Sequence, residues 1–323
     1  MSFSEIKEPI KKELDLFEDH FKADIRSKIA FVDVIARYIV KQKGKKIRPI
    51  LVLLSAKALG EVNESTYRGA SLVEILHTAT LIHDDVVDDA DTRRGLASIN
   101  AVWKNKIAVL MGDYMLAKGL LLSLDNDDFL FLKVISDSVR RMSEAEILQI
   151  KKSRDLDIDE ATYFKIISDK TASLIATCTQ IGAASITRDP AILRHMKEYG
   201  ENLGMVFQIK DDLLDYTGKK SITGKPTGID LKEKKITLPL IHSLAKAPGS
   251  KSRQMVKHIK NGANKKELLE LVEFAHEYGG IDYAAKKADH FSGLALEALS
   301  HLPPSPAKEA LKSFVGFVME RIK

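Results

Sequence analysis

Long apolar periods at helical spacing constrain this chain more than any other feature. Residues 64–89, ESTYRGASLVEILHTATLIHDDVVDD, place Leu72, Ile75, Leu76, Ala79 and Ile82 at steps of three and four, the spacing that lines up side chains on one core-facing helix face. KIAVLMGDYMLAKGLLLSL, TASLIATCTQIGAASI and LGMVFQIKDDLLDY have the same period. Alternation of Val, Ile and Thr between turn residues is nearly absent, so no sheet is expected. Prolines are few and sit at boundaries, as at Pro49, Pro190, Pro226 and Pro303. The expected architecture is all-α, a single large bundle of roughly ten or more helices. No repeat or low-complexity linker divides residues 1–323, so one domain is expected.

With 323 residues, 45% of them apolar, the chain can bury a core without covalent staples. Its one cysteine, Cys178, cannot form an internal disulfide, and no Cys/His group has zinc-ligand spacing. A reducing, cytoplasmic setting is expected. Cys178 lies in the apolar run SLIATCTQIGAA, with no nearby charge to lower its pKa, and reads as a core thiol. The start, MSFSEIKEPIKKELDLF, has no apolar signal core, and no stretch reaches the roughly 18 uncharged residues that span a bilayer. A soluble protein with no transmembrane segment is therefore expected. The 50 basic residues are interspersed with 45 acidic ones. That pattern points to anionic small molecules and not to nucleic acid, for which no motif is present.

One internal echo carries chemistry. HDDVVDD at 83–89 and KDDLLDY at 210–216 each end an apolar helix with two adjacent aspartates and a third one turn on. Asp84 and Asp88 then share a face about 6 Å apart along the axis, with Asp85 beside them. Asp211, Asp212 and Asp215 repeat the arrangement. Like charges at that spacing repel unless a cation stands between them. Hard oxygen ligands without thiolate or imidazole select Mg²⁺, with Mn²⁺ as an alternative, and magnesium normally shares substrate phosphate oxygens. The alternating ligand spacing of an EF-hand is missing. Gln208 precedes Asp211 and Asp212 by one turn and should face the same space.

HDDVVDDADTRRG and FQIKDDLLDYTG resemble the two aspartate-rich motifs of the trans-isoprenyl diphosphate synthases, the polyprenyl synthetase family. The resemblance also takes in GKKIRP from Gly44, DKTASL at 169–174 and GKPTGIDLKEKKITLP at 224–239, and so covers almost the whole chain. It implies a helical fold of the isoprenoid synthase type with a central cavity. The implied enzyme is a transferase that joins isopentenyl diphosphate to an allylic diphosphate, with three magnesium ions around the bound diphosphate. It places Asp84, Asp85, Asp88, Asp211, Asp212 and Asp215 on metal. Arg93 would contact the allylic diphosphate, while Lys45, Arg48, His77 and Arg94 would hold isopentenyl diphosphate. Lys170, Thr171, Lys225 and Gln208 would serve the breaking bond, and Lys235 would reach the allylic diphosphate. Phe207 would either shield a carbocation or belong to the core. Two positions depart from the family pattern, since Lys43 and Lys234 stand where glycines are usual.

The resemblance further implies a homodimer, and the apolar run 106–124 has more hydrophobic surface than one packing face needs. Short-chain relatives carry an aromatic four or five residues before the first aspartate, where this chain has Thr80 and Ala79. No insertion separates Asp85 from Asp88. A medium or long product, octaprenyl-like with geranylgeranyl as the alternative, is expected. Met111, Met115, Leu116 and Leu120 are the candidates for the channel floor. Release of such a product could involve transient membrane contact. Two rival functions share parts of the pattern. A terpene cyclase would not need Lys45, Arg48 and His77, and a catalytically silent subunit would not retain all six aspartates.

Overall fold

The computed structural model describes residues 2–41, 44–93, 95–217 and 229–320. The N-terminal part forms α1 (Phe3–Lys7), α2 (Lys11–Asp24), α3 (Ala30–Lys41) and α4 (Ile47–Lys57). The middle holds α5 (Glu64–Val87), α6 (Ile99–Leu124), α7 (Phe129–Asp155), α8 (Glu160–Ile167), α9 (Ser173–Ala184) and α10 (Pro190–Thr217). After it come α11 (Ile229–Lys232), α12 (Leu238–Lys246), α13 (Gly249–Lys260), α14 (Lys265–Glu277), α15 (Gly280–Ser300) and α16 (Pro306–Met319). The fold is all-α, as expected.

Helix starts follow local chemistry. Asn63 opens α5 with a reciprocal cap: its Oδ1 accepts the Thr66 N–H at 3.1 Å, and Thr66 Oγ1 accepts the Asn63 N–H at 3.3 Å. Ser98 Oγ accepts from the Ala101 N–H at 3.3 Å to start α6. Pro190 and Pro306 occupy first turns, where no N–H is needed. Among the described residues strands are confined to one two-residue ribbon, in which Thr92–Arg93 pairs antiparallel with Leu96–Ala97. Gly95, at φ +80°, makes its turn in the left-handed region that glycine tolerates. The ribbon folds Arg93 back onto the end of α5.

Three apolar clusters hold the helices. The largest joins Leu51–Leu54 of α4, Leu72 and Leu76 of α5, Phe131 of α7, Cys178 and Ile181 of α9 and Tyr199 of α10. Cys178 is fully buried, and burial pushes its thiol up to about 12, which makes it the inert core residue expected. A second cluster packs Tyr163, Ile209 and Leu213 against α12, α14 and α15. The third seals α5 to α3 and α6 through Ile35, Ile75, Ala79, Ile82, Met111 and Met115. Among the described helices, α6 alone is long and apolar enough to cross a bilayer by length and composition. It also carries Asp113 and Lys118.

A stretch of π-helix, Ser168–Ala172, joins α8 to α9 without a break. The wider turn brings consecutive residues, Lys170 and Thr171, to one wall of the molecule's interior. The π stretch rests on α10, where Gly204 leaves no gap: a Cβ there would stand 2.4 Å from Ala172 Cα. One turn earlier, a Cβ on Gly200 would stand 2.5 Å from Ala176 Cα. Gly204→Ala should therefore part α10 from the π stretch and cost about 1–3 kcal/mol. The expected result is a lowered melting temperature, read by circular dichroism, together with reduced turnover.

Candidate active site

The aspartate-rich ends of α5 and α10 open onto two cavities that share a wall. The central cavity, about 440 Å³, is lined by Arg48, His77, Thr80, Asp84, Glu146, Lys170, Thr171 and Phe207 among others. Leu81, Met142, Leu174 and Ile175 give it an apolar side. The adjoining cavity, about 150 Å³, is lined by Gln149, Tyr163, Lys170, Thr171, Gln208, Asp211, Asp212, Asp230 and Lys235. Lys170 and Thr171 belong to both. The π stretch thus stands between the two carboxylate groups.

Each cluster is held differently from its echo in sequence. Asp85 is buried, and Arg93 Nε donates to its Oδ1 at 2.8 Å. Asp84 and Asp88 are left exposed. The protein around Asp84 still lifts its carboxyl above the usual range, first by desolvation and then by the charges of Glu146 and Asp88, against the pull of Lys170. In the second cluster Asp212 is buried and accepts two hydrogen bonds: Tyr163 Oη donates to its Oδ2 at 2.6 Å and Gln208 Nε2 to its Oδ1 at 2.8 Å. Thr171 Oγ1 donates to Gln208 Oε1 at 2.8 Å, which ties the π stretch into the same chain. Burial pushes Asp212 up to about 7, despite these hydrogen bonds. Asp211 is exposed, and Asp215 Oδ2 accepts the Asp230 N–H at 3.2 Å.

Asp230 is a carboxylate that sequence reasoning missed, although it lies inside the quoted motif GKPTGIDLKEKKITLP. Burial, then the charge of Asp215, lift it to about 6, with Lys235 opposing. Tyr163, Glu146 and Gln149 were also missed. Nothing in their local sequence marks them, since they reach the site only through the packing of α7 and α8. Lys170 Nζ donates to Gln149 Oε1 at 2.9 Å and forms an ion pair with Glu146. Lys235 Nζ pairs with Glu233 Oε2 at 2.6 Å. Lys234, which stands where glycine is usual, has φ +60°, a conformation in which glycine avoids the strain of a side chain.

The expected isopentenyl diphosphate set is only partly gathered. Arg48 and His77 face the central cavity, but Lys45 lines a third cavity of about 640 Å³ together with Arg93, Asp85, Thr78 and Leu81. Arg94 and Lys225 lie outside the described residues. Thr80 faces the central cavity, whereas Ala79 is buried against Met111 and Met115 of α6.

No three acidic, histidine or cysteine side chains among the described residues form a closed metal cage. Magnesium is usually bound by one or two carboxylates, waters and substrate phosphates. Asp84, Asp88 and Asp211 are exposed, while Asp85 and Asp212 have protein partners.

The polyprenyl synthetase family model matches residues 30–274. The chain is 35% identical over 320 residues to an all-trans-nonaprenyl-diphosphate synthase (geranyl-diphosphate specific) of Rhodobacter capsulatus, covering 99% of this chain and 98% of that one. It is 33% identical over 297 residues to octaprenyl diphosphate synthase of Escherichia coli, covering 92% of each. A crystal structure of polyprenyl synthase from Caulobacter crescentus, complexed with calcium and isoprenyl diphosphate, superposes with a TM-score of 0.89 at 30% identity, over 100% of this chain and 98% of that one. Two carboxylate-bearing helix ends on one walled interior, the five motifs in order and these matches along nearly the full length agree, and the chain belongs to the polyprenyl synthetase family.

Proposed function

We propose that this protein is a magnesium-dependent trans-prenyl diphosphate synthase that joins isopentenyl diphosphate to an allylic diphosphate and gives a medium or long product. The observation that carries this reading is that aspartates of both clusters line cavities that share Lys170 and Thr171, one of them with an apolar wall. Asp84, Asp85 and Asp88 on one side and Asp211, Asp212 and Asp215 on the other, with Asp230 beside them, would hold the metal, taken as three ions with the diphosphate bound. Magnesium supplies positive charge against the charge that develops on the leaving group.

The chain's own residues do the rest. Asp85 and Asp212 complete the two metal-holding sets and also orient their neighbours, Arg93 in one case and Tyr163 with Gln208 in the other. Lys170, at the meeting of the cavities, and Lys235 and Lys225 add charge to the leaving diphosphate, while Arg93 shifts from Asp85 to an allylic phosphate oxygen. Arg48, His77, Lys45 and Arg94 would hold and orient isopentenyl diphosphate. Leu81, Leu174, Ile175 and Phe207 keep water from the allylic cation. The departing diphosphate takes the proton lost on condensation.

The octaprenyl-like length rests on Thr80, a small side chain facing the cavity one turn from Asp84. A homodimer is proposed through α6, on which Val102, Val109, Leu110, Leu121 and Leu124 are exposed. We place the protein in the cytoplasm, as one domain, with product leaving by transient membrane contact.

Incubation with Mg²⁺, farnesyl diphosphate and isopentenyl diphosphate, with products resolved by chain length, tests the reading. Asp84→Ala and Asp211→Ala should each lower turnover by several orders of magnitude, and near-normal activity in either would reject a two-cluster site. Thr80→Phe should leave the first condensations intact and shift products by several isoprene units towards shorter chains. An unchanged distribution would remove Thr80 from the channel wall.

The raised carboxyls also predict a pH dependence. In the folded protein Asp212 stands at about 7 against an ordinary 3.8. Its protonated form is favoured by folding, so this contribution is full below about pH 4 and is lost as pH rises through about 7. Metal-free Asp212→Asn should lose less stability between about pH 5 and pH 8 than the metal-free parent, by a few kcal/mol on the order of magnitude set by the shift. Urea denaturation at each pH reads the difference.

A further inference from the structure

The mechanism above leaves Glu146 unused. It is a carboxylate on the wall of a cavity built to receive anions. Among the described residues its one ion pair is with Lys170, and Gln149, three residues further along α7, accepts from the same ammonium at 2.9 Å. Glu146 faces the central cavity and Gln149 the adjoining one. The ammonium therefore rests on a charged acceptor and a neutral acceptor at the junction between the two clusters.

The pair is open to water, with Lys170 36% and Glu146 44% exposed. Solvated pairs of this kind are weak and exchange partners readily. A bound diphosphate offers Lys170 a more highly charged acceptor, and after the allylic bond breaks the inorganic diphosphate must leave before the next condensation. Each cycle thus requires the ammonium to let go of a multiply charged anion. A carboxylate within its reach lowers the cost of that step, and the Gln149 amide keeps the side chain at the junction during the transfer.

We propose that Glu146 is the exchange partner of Lys170, a positioning residue that takes the ammonium back when inorganic diphosphate departs and so favours product release. The inference rests on the synthase reading. Glu146→Gln keeps the volume and an acceptor oxygen but removes the charge.

Titration calorimetry with inorganic diphosphate and Mg²⁺ should find the variant binding roughly two- to fivefold tighter than the parent, the scale of one partly solvated ion pair. The same substitution in a Lys170→Ala background should produce no such gain, because the exchanging ammonium is gone. Unchanged or weaker binding in Glu146→Gln overturns the proposal. So does an equal gain in the Lys170→Ala background, which would make Glu146 a source of general repulsion and not a partner of Lys170. The two readings fail separately, since a parent enzyme that forms no prenyl product defeats the synthase assignment whatever the diphosphate affinities are.

Discussion

Repulsion among carboxylates is the constraint around which this molecule is arranged. Asp84, Asp85 and Asp88 end one helix, Asp211, Asp212 and Asp215 lie in the last turns of another, and Asp230 and Glu146 join them from other elements. Burial raises the cost of ionising several of them, as the lifted Asp84, Asp212 and Asp230 record. A fold that carries such a group needs counter-charges or hydrogen-bond donors at specific points. Arg93 serves Asp85, Tyr163 and Gln208 serve Asp212, and Lys170 answers Glu146. Asp84, Asp88 and Asp211 remain exposed.

That division follows from helical geometry. Of two adjacent aspartates on a helix, about 100° apart around the axis, one is exposed and its neighbour is buried at the cavity wall. The inward residue must be satisfied by protein. In α5 the partner comes from a two-residue ribbon that turns back on itself at Gly95, and in α10 from a tyrosine on α8. The rigidity of both arrangements comes from apolar packing below them. Gly200 and Gly204 allow α10 to approach α9 and the π stretch closely, and that contact sets where Lys170 and Thr171 stand.

Much of the site was legible in the chain itself because its residues come in short motifs. The two aspartate clusters, Lys170 with Thr171, and Gln208 one turn before Asp211 each lie within a few residues of one another, and helix periodicity assigns them a common face. Their meeting at one junction was implied by the family resemblance and is realised by packing. Asp230 was within sight in a quoted motif, but a lone aspartate among lysines reads as a solvated loop residue. Tyr163, Glu146 and Gln149 carried no signal, because an aromatic in an apolar helix and polar residues on an amphipathic one are ordinary. Ala79 and Thr80 differ by one position, and only packing against α6 decided that Ala79 is core while Thr80 faces the cavity.

The sequence alone determined the helical class, the core role of Cys178 and the identity of the charged groups, since these depend on periodicity and local spacing along one chain. Tertiary structure decided which aspartates remain exposed, which cavity each basic residue faces, and that Lys170 rests on Glu146 and Gln149. Those outcomes depend on distances between helices far apart in sequence, and such distances are set by close packing of side chains that no local pattern encodes.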